Sequence, residues 1–154
     1  MGQRLDLSGI APRMYATMSR LSGDSHGFGL EPLLVELVKT RASQINGCAY
    51  CVDMHTKDAR AAGEDEQRLH LLVAWRECDT YSERERAALA LTEAMTRLPD
   101  GHGVPDDVFE AAAGRFSEHE LAGLIWAITV INAWNRIAIS TGMEPGHYQP
   151  GGHE

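Results

Sequence analysis

Apolar residues recur at intervals of three and four along most of this chain, the spacing that places them on one face of an α-helix. No segment of useful length alternates between apolar and polar residues, as a half-buried strand would. Prolines and glycines divide the helical pattern into separate segments. Helices are predicted over residues 12–23, 32–46, 48–63, 64–75, 82–98, 105–114 and 117–141. The chain is therefore predicted to be all-α, with six to seven helices.

Local signals support these boundaries. Ser82 with Glu85, and Ser117 with Glu120, form capping boxes, in which the two side chains satisfy free N–H groups at a helix start. Asn46-Gly47 is a strong turn signal between two helical segments. At 154 residues the chain is predicted to be a single domain over 1–154, with a core of about 15–142 and an irregular C-terminal tail, 143–154.

The last predicted helix is apolar on nearly every side, so it must be buried on nearly every side. In a small domain this favours a central position or contact with another subunit, and a homo-oligomer is predicted. Its longest apolar run, 121–131, is short of the ~18–20 residues that a membrane-spanning helix needs. Asn132, Asn135 and Arg136 interrupt the pattern and are expected to make buried hydrogen bonds or an ion pair.

Composition excludes several classes of protein. The net charge of -8 and the lack of any Lys/Arg cluster argue against nucleic-acid binding. Three cysteines are too few for the disulfide framework of a small secreted domain. Residues 1–10 contain no apolar stretch of the kind that a secretory signal requires. The expectation is a soluble, cytoplasmic protein that binds neither membrane nor nucleic acid.

The most informative segment is Cys48-x2-Cys51-x3-His55. On a helix, residues three and four apart share a face, so two thiols and an imidazole would form one stripe. The turn before Cys48 places it at a helix N-terminus, where a thiol pKa is lowered. Residues three apart in a helical turn also lie near the Cα separation that a disulfide needs, roughly 4.4–6.8 Å. The segment therefore predicts a redox-active cysteine pair.

Glu36 lies on the preceding helix and would reach His55 only if the Asn46-Gly47 turn folds that helix back. Glu36 could then orient His55, as a third group orients the base of an activated nucleophile. The helix N-terminus favours Cys48 as the more acidic thiol, whereas the position of His55 favours Cys51. We prefer Cys51, because deprotonation needs an acceptor within reach.

Two other interpretations of the segment remain open. Cys48, Cys51 and His55 could be three zinc ligands of a helical binding module, with a fourth ligand from His70, Cys78 or Glu36. A structural zinc site usually has a second ligand pair at similar spacing, and none is present here. The chain could also be an inert helical scaffold. Cys78 stands alone after an apolar segment and is expected to be a packed thiol.

These residues resemble the alkylhydroperoxidase D (AhpD)-like family of the carboxymuconolactone decarboxylase superfamily. The resemblance rests on Glu36 and on residues 45–55, Ile-Asn-Gly-Cys-Ala-Tyr-Cys-Val-Asp-Met-His. A second match is Ile-Asn-Ala-Trp-Asn-Arg at residues 131–136. The resemblance covers about residues 15–142 and implies an all-helical fold assembled as homotrimers or homohexamers. The decarboxylase branch, which acts on a lactone acid, does not characteristically carry the cysteine pair.

The resemblance also implies a peroxidase cycle. Cys51 would be the peroxidatic thiol, Cys48 the resolving thiol, and Glu36 with His55 the proton relay. The substrate would be a hydroperoxide. The cycle would use no bound cofactor. An external dithiol would restore the thiols; in the best-understood case it is of the lipoyl type and is delivered by a partner protein.

In the family's fuller motif a second His precedes the second Cys, but Tyr50 stands here. Tyrosine, with a pKa of ~10, cannot act as a base at neutral pH, and it is kept as an accessory site residue.

Overall fold

The computed structural model describes residues 2–101 and 103–151. Met1, His102 and residues 152–154, the end of the predicted tail, lie outside the described part. Within the described part every regular element is helical, which confirms the all-α prediction. The α-helices are α1 (Leu7–Ile10), α2 (Pro12–Asp24), α3 (Pro32–Asn46), α4 (Ala49–Ala61), α5 (Glu66–Leu71), α6 (Glu83–Thr96), α7 (Asp106–Ala113) and α8 (Glu118–Thr141).

All seven predicted segments are present, and two details differ. The four-residue helix α1 was not predicted, because one turn is too short to give a periodic pattern. The segment predicted as one helix over 64–75 is α5 followed by a 3₁₀-helix, Leu72–Glu77. Ala74 has a non-helical backbone there, with φ -121° and ψ 29°. Both capping boxes form as predicted, at Ser82 and at Ser117.

Helix α3 lies at the centre of the fold and packs against α4, α6 and α8. Nine of its residues are buried, including the charged Lys39 and Arg41. Helix α8 is long and apolar enough, by length and composition, to cross a membrane, but half of its most apolar stretch is buried inside this fold. That burial is typical of a core helix. The exposed side of α8 carries Trp126 and Ile139.

The connection between α3 and α4 is a tight hydrogen-bonded turn. Gly47 adopts a left-handed conformation, with φ 69° and ψ 29°. Its N–H donates to the carbonyl of Gln44, and the N–H of Cys48 donates to the carbonyl of Ser43. This is the Schellman arrangement, and a residue with a side chain would be strained at its left-handed position. The turn reverses the chain, so α4 packs back along α3.

The tail after α8 is irregular, as predicted for the residues that are described, and it contacts α4. The backbone N–H of Gly146 donates to Asp53 Oδ2 over 2.9 Å. The Tyr148 hydroxyl donates to Asp58 Oδ1 over 2.7 Å, and Lys57 Nζ donates to the Tyr148 carbonyl over 3.1 Å. Three polar contacts therefore hold the tail against this helix.

Glu93 on α6 connects the outer helices to α3. Its carboxylate accepts hydrogen bonds from Arg41 Nε, Trp75 Nε1 and Arg76, each over 2.9 Å. Only 7% of Glu93 is exposed. A buried carboxylate is tolerated when its oxygens are this fully hydrogen-bonded.

Removing this carboxylate should strongly destabilise the fold. We expect Glu93→Ala to lower the free energy of unfolding by about 3–5 kcal/mol, because Arg41 would be left buried without its counter-charge. Urea denaturation followed by circular dichroism measures this change. The matched control is Glu66→Ala, which breaks the exposed ion pair with Arg60 and should cost no more than about 1 kcal/mol. Equal losses in the two variants would contradict this role of Glu93.

Candidate functional site

The α3–α4 turn places Cys48 directly before the first residue of α4. Cys48 is the N-cap residue, and its sulfur accepts a hydrogen bond from the Cys51 backbone N–H over 3.4 Å. Both cysteine residues are 1% exposed. The free N–H groups and the dipole at a helix start favour a negative charge on the capping group. The predicted position of Cys48 at the helix N-terminus is confirmed.

The two thiols have very different acidities. The Cys51 thiol donates a hydrogen bond to Cys48, and this is the main reason that the pKa of Cys48 falls to about 7 from an ordinary 9.0. Burial opposes the decrease, while the N–H groups of Cys51 and Tyr50 and the side chain of Asn135 support it. The same hydrogen bond raises the pKa of Cys51, and burial and the charge of Cys48 add to that increase.

Above a pH of about 7 the pair therefore holds one proton, with Cys48 as thiolate and Cys51 as thiol. This is the order that the helix N-terminus favours and the reverse of the acidity that we preferred. The Cys51 thiol donates its hydrogen bond to the sulfur of Cys48 rather than to His55. The sequence offered arguments for both orders, and the choice between them depends on the orientation of the two side chains.

Glu36 and His55 form the predicted pair. His55 Nδ1 lies 2.8 Å from Glu36 Oε2, and the two side chains are 9% and 14% exposed, respectively. The position of Lys39 Nζ, 3.6 Å from Glu36 Oε1, adds a cation to the pair. Burial alone raises the pKa of Glu36, but hydrogen bonding and charge from His55, with the charge of Lys39, outweigh it and hold the pKa below its usual value. Glu36 is therefore a carboxylate at neutral pH.

A cavity of about 360 Å³ adjoins these groups. Its wall includes Cys51, together with His55, Tyr50 and Lys39. Cys48 is not among the described residues that form it. Most of the remaining wall is apolar and comes from α4, α8 and the second residue after α8: Met54, Val130, Ile131, Trp134, Ala138 and Met143. Helix α2 closes one side with Tyr15, Ser19, Ser22 and Gly23. A cavity of this size and lining can hold a small organic molecule.

Asn135 links the cysteines to the core. Its side chain is fully buried, accepts from Asn46 Nδ2 over 2.8 Å and donates to Ser43 Oγ over 3.0 Å. It also hydrogen-bonds both cysteine sulfurs, which supports the low pKa of Cys48 and opposes the increase at Cys51 without outweighing it. The expected buried hydrogen bonds are therefore confirmed for Asn135, whereas Asn132, which donates to Thr96 Oγ1, is half-buried. Arg136 differs, since it is exposed and bonds its own helix.

The additional zinc ligands considered from the sequence do not converge on the cysteine pair. His70 is exposed, and Cys78 packs against the cluster around Trp75, apart from the cluster that contains Cys48 and Cys51. Within residues 2–101 and 103–151, the group with metal-ligand proximity is Glu36, His55 and Asp58, and neither cysteine belongs to it. The ammonium of Lys39 beside Glu36 disfavours a second cation at that group.

Several wall residues were not identified from the sequence. Lys39 had a signal, since it is, with Arg41, one of the two cations on α3. Tyr15 and Trp134 had none, because their contact joins residues 119 positions apart in the chain. Their rings meet edge to face, with centroids 5.2 Å apart. This contact fixes α2 against α8 at the edge of the cavity.

Comparisons with known proteins identify the family of this chain. The model of the carboxymuconolactone decarboxylase family matches residues 12–94, which include Glu36, both paired cysteines and His55. The uncharacterized protein YdfG of Bacillus subtilis (strain 168) is 42% identical over 142 residues, covering 92% of this chain and 96% of YdfG.

Solved structures share the fold. ATU0492 from Agrobacterium tumefaciens, a protein of unknown function and a candidate AhpD antioxidant defence protein, superposes with a TM-score of 0.91. It is 38% identical, and the match covers 96% of this chain and 100% of that chain. The debrominase Bmp8 has a TM-score of 0.81 at 21% identity, and the match covers 90% of this chain and 74% of that chain. This likeness concerns the fold alone. These matches confirm the AhpD-like resemblance.

The shared proton can be tested by titration. In Cys78→Ser protein, ultraviolet absorbance of the thiolate should rise with an inflection near pH 7, as Cys48 loses its proton. Below that pH the thiolate is lost. Cys51→Ala removes the donated hydrogen bond and should move the inflection upward, towards the ordinary value of 9.0. An unchanged inflection in Cys51→Ala would contradict the proposed cause of the acidity of Cys48.

Proposed function

Because this chain belongs to the carboxymuconolactone decarboxylase family and is AhpD-like, we propose that it is a thiol-dependent peroxidase that reduces hydroperoxides at its cysteine pair. One observation carries the proposal. Cys51 lies in the wall of an organic-sized cavity, is hydrogen-bonded to a second thiol, and has the Glu36–His55 pair in the same neighbourhood. A thiol that is oxidised there has a resolving thiol already in contact.

Cys51 is the thiol that meets the substrate. Among the described residues, Cys51 is the cysteine that lines the cavity, whereas Cys48 caps the start of α4. The thiolate of Cys48 has a matching role, since it is the base that receives the Cys51 proton. The sulfur of Cys51 then attacks the outer oxygen of the hydroperoxide, the O–O bond breaks, and the products are Cys51 sulfenic acid and an alkoxide.

The alkoxide needs a proton, and the Glu36–His55 pair is suited to supply it. His55 belongs to the cavity wall, and its 2.8 Å contact with Glu36 fixes the orientation of the imidazole ring. The proton is replaced from solvent after each cycle. General acid catalysis of this kind contributes about 10²–10⁴-fold to a rate. Tyr50, in the same wall, is an accessory donor to the leaving oxygen.

The second half of the cycle closes the disulfide. The Cys48 thiol, which now carries the proton taken from Cys51, condenses with the sulfenic acid and releases water. In total, the thiol, the thiolate, the hydroperoxide and one proton give the disulfide, an alcohol and water. An external dithiol, such as a lipoyl group delivered by a partner protein, then restores both thiols by disulfide exchange.

Peroxide reduction explains the residues better than the alternatives do. Decarboxylation of a lactone acid has no use for two hydrogen-bonded thiols. A zinc module would require the cysteines to share a ligand cluster with His55, and the described cluster contains carboxylates instead. An inert scaffold would have no reason to hold a buried thiolate beside a cavity, because an unused buried charge is costly.

The cysteine assignments predict distinct oxidation products. In a Cys78→Ser background, one equivalent of cumene hydroperoxide should give a Cys48–Cys51 disulfide in peptide mass spectra. Cys48→Ser cannot form that bridge and should yield Cys51 sulfenic acid, which dimedone traps. Cys51→Ser is the matched control and should lose most of the peroxide reactivity. A sulfenic acid on Cys48 that forms at the wild-type rate would contradict the assignment, and a pair that resists oxidation would contradict the function.

We also propose that the protein acts as a homotrimer or homohexamer. The support is that α8 exposes two large apolar side chains, Trp126 at 46% and Ile139 at 44%. Light scattering at micromolar concentration should return three or six times the chain mass of 16.9 kDa. Trp126→Glu should dissociate the assembly, while Val73→Glu, an exposed apolar position on the 3₁₀-helix, should not. A wild-type mass of one chain would overturn this proposal.

A further inference from the structure

Lys39 is a buried cation in the wall of the cavity, and nothing in the proposed cycle uses it. Its side chain is 7% exposed, although lysine is among the residues least often buried. Burying an ammonium group costs free energy unless partners compensate for the lost water. Its position on the central helix α3, in a mostly apolar cavity, therefore indicates a role for the charge.

The partners of Lys39 do not use all of its donors. An ammonium group has three N–H bonds and no acceptor. Lys39 Nζ lies 2.9 Å from His26 Nε2, which accepts one of them. Burial first, and then the charge of Lys39, lower the pKa of His26, so the ring is neutral and can accept. Glu36 Oε1 is 3.6 Å away, beyond hydrogen-bond distance.

The carboxylate of Glu36 is itself committed to another partner. Glu36 Oε2 lies 2.8 Å from His55 Nδ1, and that contact takes the carboxylate towards the relay. The other carboxylate oxygen, Glu36 Oε1, is 3.6 Å from Lys39 Nζ, so Glu36 compensates part of the ammonium charge but accepts no hydrogen bond from it. The ammonium therefore keeps an N–H donor at the cavity wall that neither His26 nor Glu36 accepts.

The rest of the lining is consistent with a ligand that is apolar over most of its surface and anionic at one point. Ser19 and Ser22 add hydroxyl groups, while Met54, Ile131 and Trp134 supply apolar area. Lys39 is the cationic side chain among the described lining residues. In a protein with a net charge of -8, an anionic ligand would otherwise be repelled.

We propose that Lys39 is an anion-binding residue of the substrate site, and that the preferred substrate is an apolar hydroperoxide that carries a carboxylate. The substrate carboxylate accepts a hydrogen bond from Lys39 Nζ, and its apolar body fills the cavity beside Cys51. The hydroperoxide part of this inference rests on the proposed function. The anion subsite itself does not.

Binding of unreactive analogues tests the subsite without turnover. Calorimetry on the reduced protein compares 4-isopropylbenzoate with 4-isopropylbenzamide, which has the same body without the charge. The carboxylate should bind at least about tenfold more tightly, as expected for a charge-assisted hydrogen bond. Lys39→Met should remove this preference and Lys39→Arg should keep most of it. Lys57→Met, a lysine outside the described cavity wall, is the matched control and should keep it fully.

Kinetics on a matched substrate pair tests the substrate class. Cumene hydroperoxide is compared with its derivative that carries a carboxylate opposite the hydroperoxide group on the ring. The ratio of the two kcat/KM values should favour the carboxylate about tenfold in the wild type and fall to near one in Lys39→Met. Any effect of Lys39 on the Glu36–His55 pair acts on both substrates and cancels in the ratio.

Each result is decisive. Equal binding of the amide and the carboxylate to the wild-type protein would overturn the anion subsite, and so would a preference that survives in a folded Lys39→Met variant. If that variant does not fold, the two analogues on the wild type and on Lys39→Arg decide the question. Selective carboxylate binding without any hydroperoxide turnover would leave the subsite intact and overturn the proposed peroxidase function.

Discussion

The turn at Gly47 is the constraint on which the site depends. Its two backbone hydrogen bonds end α3 and bring Cys48 to the first turn of α4. The same reversal packs α4 against α3, so that His55 reaches Glu36, nineteen positions earlier in the chain. A single left-handed glycine therefore determines both the capping position of one thiol and the contact that orients the imidazole.

The buried ionisable groups of this site form two small networks, and the members of each network compensate one another. The two cysteines share one proton, and Glu36, His55 and Lys39 share a second small network. In a low-dielectric interior each of these interactions is stronger than it would be in water, and an unpaired member would be costly. The protein reduces that cost by distributing the charges over two neighbouring groups. Asn135 on α8 joins the cysteine pair to the core, which holds the sulfur atoms in place.

The sequence predicts the fold and the kinds of side chain that form the site, because both depend on local patterns. The helices follow from helical periodicity, two capping boxes and the Asn46-Gly47 turn. The shared helix face of the site follows from the spacing of Cys48, Cys51 and His55. The acidity of the two thiols was predicted in the wrong order, since it depends on which sulfur donates to the other. The cavity could not be predicted, because its wall combines α2, α3, α4 and α8, which have no common sequence signal.

The central claim is that the two thiols act as one unit, with Cys48 as the thiolate and Cys51 as the thiol in the cavity wall. Nuclear magnetic resonance of protein labelled with ¹³C at the cysteine β-carbons measures both residues separately. The account predicts that Cys48 titrates near pH 7 while Cys51 stays protonated, and that substoichiometric hydroperoxide converts both signals together to disulfide values. Independent titration of the two thiols, or oxidation that appears first at Cys78, would contradict it.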